Sequence, residues 1–165
     1  MQVSAQSQER FYQNEAKRFK VKIGVALVLI VDQKVLLQRR SNTGIDDGVY
    51  VLPMGGLEEG ESPLETVIRE AQEETNIILR PENVQLSLTM FRKHALRDGY
   101  SFYQNDLFFQ ASHYENKIKN LEPHKADDLR FFDVANLPKN VAPFVSHALN
   151  CIFLGQRYSD FGLDI

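Results

Sequence analysis

A chain of 165 residues that is 43% hydrophobic can close one sizeable core and is too short for two. Its 22 acidic and 19 basic residues leave a formal charge of −3, so no broad electrostatic attraction to a nucleic-acid backbone or an anionic membrane is expected. The one cysteine, Cys151, cannot form an internal disulfide, and neither a leader-like segment nor an apolar run of roughly 20 residues is seen, so a soluble cytoplasmic protein is the expectation.

In chain order, residues 1–19 are polar and charged apart from Phe11, Tyr12 and Phe19. They read as a frayed helix or a tail, equally able to hang free or to mediate a homodimer, ahead of one domain over 20–165. The β-branched run 21–31, the polar turn Asp32-Gln33-Lys34 and the run 35–37 predict a hairpin. Turn formers crowd residues 42–48, a short strand over 49–52 follows, and Pro53 ends it. Val84, Leu86, Leu88 and Met90 alternate with polar neighbours, as in a half-buried strand, and 100–110 reads as its partner after the turn Asp98-Gly99. Residues 129–134 suit another strand, and 144–154 a helix with an apolar face that takes Cys151 into the core. Strands outnumber helices, so the fold class is α+β, with helices packed on a mixed β-sheet.

The most informative segment is 54–77. Ser62 is a good N-cap, Pro63 suits the first helical position, and Glu65 completes a Ser-x-x-Glu capping box. At roughly 100° per residue, Leu64, Val67, Ile68, Ala71 and Thr75 form one apolar stripe, and Asn76 is a plausible stop. Glu70, Glu73 and Glu74 gather beside that stripe at i, i+3 and i+4, with no basic residue expected on their face. Each close pair of such like charges costs roughly 0.2 to 0.5 kcal/mol in an isolated helix, which predicts a bound cation. Carboxylate oxygens suit Mg²⁺ or Mn²⁺, whereas zinc favours His or Cys. A glutamate-rich helix face alone is more often a solvated surface. Here Gly55, Gly56 and Gly60 precede it as a flexible turn that delivers Glu61 to the helix mouth and offers a backbone carbonyl to a ligand.

Gly55, five residues, Glu61, seven residues, then Arg69-Glu70-Ala71-Gln72-Glu73-Glu74 resembles the Nudix box, a loop-helix-loop signature with Gly, Glu, Arg and three Glu at fixed spacing. Asn76 stands where that family has glycine, and as the next best residue for positive φ it is expected to keep the loop geometry. Leu52-Pro53-Met54-Gly55-Gly56 and the late Phe131-Phe132-Asp133-Val134 to Leu137-Pro138 are similar to further family segments. The resemblance implies the α/β/α sandwich of Nudix hydrolases and hydrolysis of a phosphoanhydride bond, with Mg²⁺ as cofactor and Mn²⁺ as substitute. It assigns Glu70, Glu73 and Glu74 to metal, joined by the Met54 carbonyl and an acid before the late strand, Glu122 first. Arg69 orients the carboxylates, Glu61 supports the site, and Glu70 or Glu73 serves as base.

Substrate identity is less legible. Arg92-Lys93-His94 stands where ADP-ribose hydrolases carry a proline, Tyr100 comes too late for the diadenosine polyphosphate type, and isopentenyl diphosphate isomerases need a tryptophan that this chain lacks. A pI near 5.8 is low for hydrolases of RNA ends. The expectation is therefore a MutT-like enzyme acting on normal or oxidised nucleoside triphosphates, releasing pyrophosphate. Arg39, Arg40, Arg92 and Lys93 are the phosphate candidates, Asp127 and Asp128 would meet a purine edge, and Phe91, Tyr100, Phe102 or Tyr103 would stack on a base. The alternatives are a nucleoside diphosphate sugar hydrolase and a nucleotide-binding sensor that does not turn its ligand over.

Overall fold

The computed structural model describes residues 5–96 and 99–163. A helix, α1 (Ala5–Lys17), occupies most of the polar leading segment, and Phe19 beyond it meets Tyr103 edge to face. The run expected as one strand is two, β1 (Lys22–Val28) and β2 (Ile30–Val31), broken at Leu29. Asp32 and Gln33 both take positive φ, the conformation of a two-residue hairpin turn, and lead into β3 (Lys34–Arg40). Then come β4 (Tyr50–Val51) and β5 (Met54–Gly56), so the glycine pair is strand rather than flexible turn. β5 exists because it pairs antiparallel with β1, a contact far away in sequence, Ala26 facing Met54 and Gly24 facing Gly56.

Helix α2 (Pro63–Thr75) forms as its local sequence dictates. Ser62 accepts the Glu65 N–H, the Glu65 carboxylate accepts the Ser62 N–H at 2.7 Å, and Asn76 ends the helix in the left-handed region at φ 63°. A 3₁₀ turn, Pro81–Asn83, precedes β6 (Val84–Ala95), which runs beyond the alternating stretch and pairs antiparallel with β7 (Ser101–Ala111). Of the turn between them, Gly99 has positive φ, while Asp98 lies outside the described residues. The late strand, β8 (Ala126–Asp133), starts earlier than expected, α3 (Pro143–Phe153) follows, and β9 (Tyr158–Phe161), which has no alternating pattern, forms by parallel pairing with β6.

The strands make two sheets. One has the order β5-β1-β7-β6-β9 and is mixed, since β1 and β7 are parallel. In the other, β3 pairs with β2 and β4 and also with β8. Period-two alternation divides their side chains between two cores. Ala26, Val28, Val35 and Leu37 point to the side covered by Phe144, Val145 and Leu149 of α3. Val25, Leu27, Leu29 and Leu36 point to the side covered by Val67 and Ala71 of α2. The result is an α/β/α sandwich in which α2 lies against β1 and β5 with its acidic flank at the sheet edge. Among the described residues no helix is long and apolar enough to cross a membrane.

Candidate active site

The capped start of α2 fixes its rotation, and rotation fixes where its carboxylates go. Glu74 is carried inward to 9% exposure, where its Oε2 accepts the Met54 N–H at 2.8 Å. Burial is the main cause that raises its pKa to about 8, with Glu70 and Glu122 adding to it and the hydrogen bonds from Gln38 and Met54 opposing. One turn earlier, Glu70 lies against the backbone of β5. Its pKa is raised by burial, with the Arg69 guanidinium pulling the other way.

Arg69 organises the outer part. Its Nε and Nη2 donate to both oxygens of Glu61 at 3.1 and 2.9 Å, and its Nη1 donates to Glu70 at 2.6 Å and Glu73 at 3.1 Å. The expectation that nothing basic faces the acidic cluster is therefore corrected. Arg69 stands four residues before Glu73, about 40° from it on a helical wheel, so it borders the cluster, and its long planar fork reaches across to Glu70. Fixed in turn by the Glu58 N–H at 2.8 Å, Glu61 has its pKa lowered to about 2, chiefly by the hydrogen bonds from Arg69.

Glu70, Glu74 and Glu122 line a cleft of about 480 Å³, together with Gln38, Arg40, Met54 and Lys125. Glu122 is reached through the loop before β8 and is paired with Lys125 at 2.7 Å. Among the described residues no three acidic, histidine or cysteine side chains already converge on one point. Arg69 holds Glu70 and Glu73 aside and the Met54 N–H holds Glu74. The donor set nevertheless fits a hard divalent cation, since three carboxylates line one cleft and carboxylate oxygens suit such ions. Glu73, its side chain 55% exposed, is not part of the cleft lining but shares Arg69 Nη1 with Glu70.

Of the expected substrate residues, Arg40 enters the cleft, its guanidinium positioned by Ile45 O at 2.8 Å and Thr43 Oγ1 at 3.0 Å. Arg39 does not, because successive residues of β3 point to opposite faces and Gln38 and Arg40 hold the cleft side. It pairs instead with Asp127, Nε to Oδ1 at 2.7 Å. Asp128 accepts from the Tyr50 hydroxyl and from Arg130. Neither Asp127 nor Asp128 lines the cleft or the second cavity beside it.

That second cavity, about 240 Å³, shares Arg40, Met54, Gly55 and Gly56 with the cleft and contains Arg92, which is almost fully buried against Asp106 rather than turned toward phosphate. Phe102 is the one aromatic of the expected stacking group in its lining, since Phe91 and Tyr103 stack on each other. Sequence reasoning passed over Gln38, Lys125, Gln104, Asp106 and Phe144. For Gln38, Gln104 and Asp106 there was a signal, a polar residue at a position whose alternation makes it inward-facing.

The profile of the NUDIX domain matches residues 20–150. The chain belongs to the Nudix family. It is 31% identical to the uncharacterized Nudix hydrolase YvcI of Bacillus subtilis over 132 residues, 78% of this chain and 77% of that protein. A shorter stretch of 62 residues is 48% identical to the m7GpppN-mRNA hydrolase NUDT17 of Xenopus laevis, covering 36% of this chain and 21% of that one. In fold it is similar to a MutT Nudix hydrolase from Burkholderia pseudomallei, with a TM-score of 0.70 at 22% identity over 80% of this chain and 98% of the other. As a Nudix hydrolase it carries the box on β5, the following loop and α2, and the box acids are those whose geometry is given above.

Proposed function

We propose that the protein hydrolyses a phosphoanhydride bond in a nucleoside diphosphate derivative, with a nucleoside triphosphate, normal or oxidised, as the first candidate and pyrophosphate as the leaving product. The observation that carries this reading is one cleft lined by Glu70, Glu74 and Glu122 together with Arg40 and Lys125. Carboxylates alone would suit a bound cation and cations alone a phosphate. Both lining one cleft suit a polyphosphate that arrives with its counter-ion.

Glu70, Glu73, Glu74 and Glu122, with the carbonyl of Met54, would hold Mg²⁺ or Mn²⁺, which when bound supplies a Lewis acid to the phosphate oxygens. Arg69, itself clamped by Glu61, aims Glu70 and Glu73. Arg40 and Lys125 take up the charge of the remaining phosphate oxygens. Glu70 or Glu73 accepts the proton that attacking water gives up as it meets phosphorus in line with the leaving oxygen. The single cysteine is free and buried, in keeping with a reducing cytoplasmic setting.

The test is release of phosphate or pyrophosphate from nucleoside triphosphates, dinucleotides and nucleoside diphosphate sugars, each with Mg²⁺, Mn²⁺ or EDTA. Metal-dependent cleavage of triphosphates supports the reading. Cleavage confined to diphosphate sugars replaces the first candidate, and binding without release of any product overturns hydrolysis.

A further inference from the structure

The carboxylate cleft is neutralised in part by one of its own side chains. Among the described residues two cations line it, Arg40 and Lys125. Arg40 is anchored, its guanidinium held by Ile45 O and Thr43 Oγ1. Lys125 instead lays its ammonium on Glu122 Oε1 at 2.7 Å, and Glu122 is the acid from outside α2 that the proposed function gives to the metal. The hydrogen bond to Glu122 is the largest cause raising the Lys125 pKa, and the charges of Glu74 and Glu70 add to it, so all three acids of the cleft act on this one ammonium.

The backbone that presents this pair is pinned at both ends. Upstream, the Lys119 N–H donates to Thr75 O at 3.0 Å and the Leu121 N–H to Glu74 O at 3.1 Å, which ties the segment to the end of α2. Asn120 closes the turn itself, its Oδ1 accepting the Glu122 N–H at 3.0 Å and its Nδ2 donating to Ala126 O at 2.6 Å. Downstream, Lys125 O accepts the Ser41 N–H at 2.8 Å, just past the end of β3. The side chains differ from the backbone in this respect. That of Glu122 is 22% exposed and that of Lys125 57%. An exposed ion pair is weak, and lysine is a point charge on a flexible four-carbon stem, so the ammonium can leave Glu122 with no movement of the chain.

We propose that Lys125 is an exchangeable counter-ion, which holds Glu122 until a divalent ion takes that carboxylate and then moves to an oxygen of the phosphate, so that one side chain couples metal binding to phosphate binding. A hard divalent ion sits about 2 Å from the carboxylate oxygen it uses. On Glu122 it would stand within a few ångströms of the ammonium, and repulsion would replace the attraction that held the lysine there. Phosphate supplies the missing partner, since its oxygens accept from an ammonium as a carboxylate does. Arg40 cannot exchange in this way, because the oxygens that hold it are neutral and lie in the loop after β3 rather than on an acid of the cleft. This role rests on the proposed function in giving Glu122 to the metal.

The test needs no turnover. Wild type, Lys125→Met, Glu122→Gln and the double variant are compared in two titrations, with amide NMR spectra to confirm that each folds. In the first, Mn²⁺ alone is added and the free ion followed by electron paramagnetic resonance. Lys125→Met is expected to bind it about threefold or more tightly than wild type, the scale of an exposed pair that no longer has to be broken. In the second, inorganic pyrophosphate is added in EDTA at about 0.15 M salt, which screens distant charges. Where Glu122 engages the lysine, Lys125→Met should weaken pyrophosphate binding by about twofold or less. In the Glu122→Gln background, where the lysine is released, the same substitution should weaken it by about fivefold or more. Equal costs in the two backgrounds would mean that Lys125 acts only as a charge at a distance. That result, or a Lys125→Met variant that binds Mn²⁺ no more tightly than wild type, overturns the inference. Both expected results without cleavage of any substrate would leave it standing and remove the hydrolase reading, and cleavage with equal costs would do the reverse.

Discussion

The carboxylate of Glu70 occupies the space that a side chain on Gly55 would need, for a Cβ at Gly55 would stand 1.9 Å from Glu70 Oε1. Gly55 is not at positive φ, so alanine fits its backbone and only the Glu70 side chain has to move. Gly55→Ala is therefore expected to fold with a melting temperature within a few degrees of wild type. Its kcat/KM should fall about 100-fold, the usual cost of misplacing a reacting group by about 1 Å. Near-normal turnover would place the chemistry away from Glu70.

Arg69 ties Glu61 from the loop to Glu70 and Glu73 on the helix. Lysine keeps the charge and loses the fork, so Arg69→Lys should lower kcat by about tenfold to 100-fold, as expected when a positioning contact is lost, with a smaller change in KM. Acid stability gives a second readout. The Glu61 pKa is lowered to about 2 in the folded protein, so the stability it contributes is present above its unfolded value and is lost as pH falls toward 2. Removing the fork raises that folded pKa, and the acid-unfolding midpoint of Arg69→Lys should move to higher pH. An unmoved midpoint would show that Glu61 owes its low pKa to the Glu58 N–H instead.

Glu74 works in the opposite sense. With a folded pKa raised to about 8 by burial, the folded protein holds a proton there that the unfolded chain has released, so metal-free stability should decline as pH rises toward 8 and level off beyond it. In EDTA the melting temperature of wild type is expected to fall between mildly acidic and mildly alkaline pH. Glu74→Gln, which is neutral throughout, should show less of that fall. Saturating Mg²⁺ should restore wild type most at high pH, because the ion competes with the proton for the same carboxylate. Restoration independent of pH would mean that the ion binds without displacing a proton from Glu74.

What was legible beforehand followed from how far each feature reaches along the chain. Ser62, Glu65 and Asn76 cap α2 through contacts no more than four residues apart, so the helix and the direction of Glu70 and Glu74 could be read directly. β5 and β9 could not, because each is made by pairing with a distant strand rather than by its own composition. Arg39 and Arg40 looked equivalent as adjacent cations, and only the facing of β3 separates one in the cleft from one held by Asp127. Arg69 was legible as the i,i+4 neighbour of Glu73 and was passed over, whereas its second contact, with Glu61 eight residues back in the loop, lies beyond helical spacing. Asp106 was visible as a polar residue in step with Phe102 and Phe108. That its face is inward depends on β1 and β6 on either side.

The Arg92–Asp106 pair tests what a buried ion pair contributes to the fold. Both groups are almost fully buried, so Asp106→Ala strands a guanidinium in the sheet and should destabilise the protein by about 3 to 5 kcal/mol. Replacing both residues, as Arg92→Met with Asp106→Leu, removes the stranded charge and restores apolar continuity with Met90 and Phe108. The double variant is expected to recover most of the lost stability in denaturant unfolding, since a buried pair exchanged for apolar residues of similar volume is often neutral or better. A double variant as unstable as Asp106→Ala would show that the pair itself, and not merely the absence of a stranded charge, stabilises the sheet.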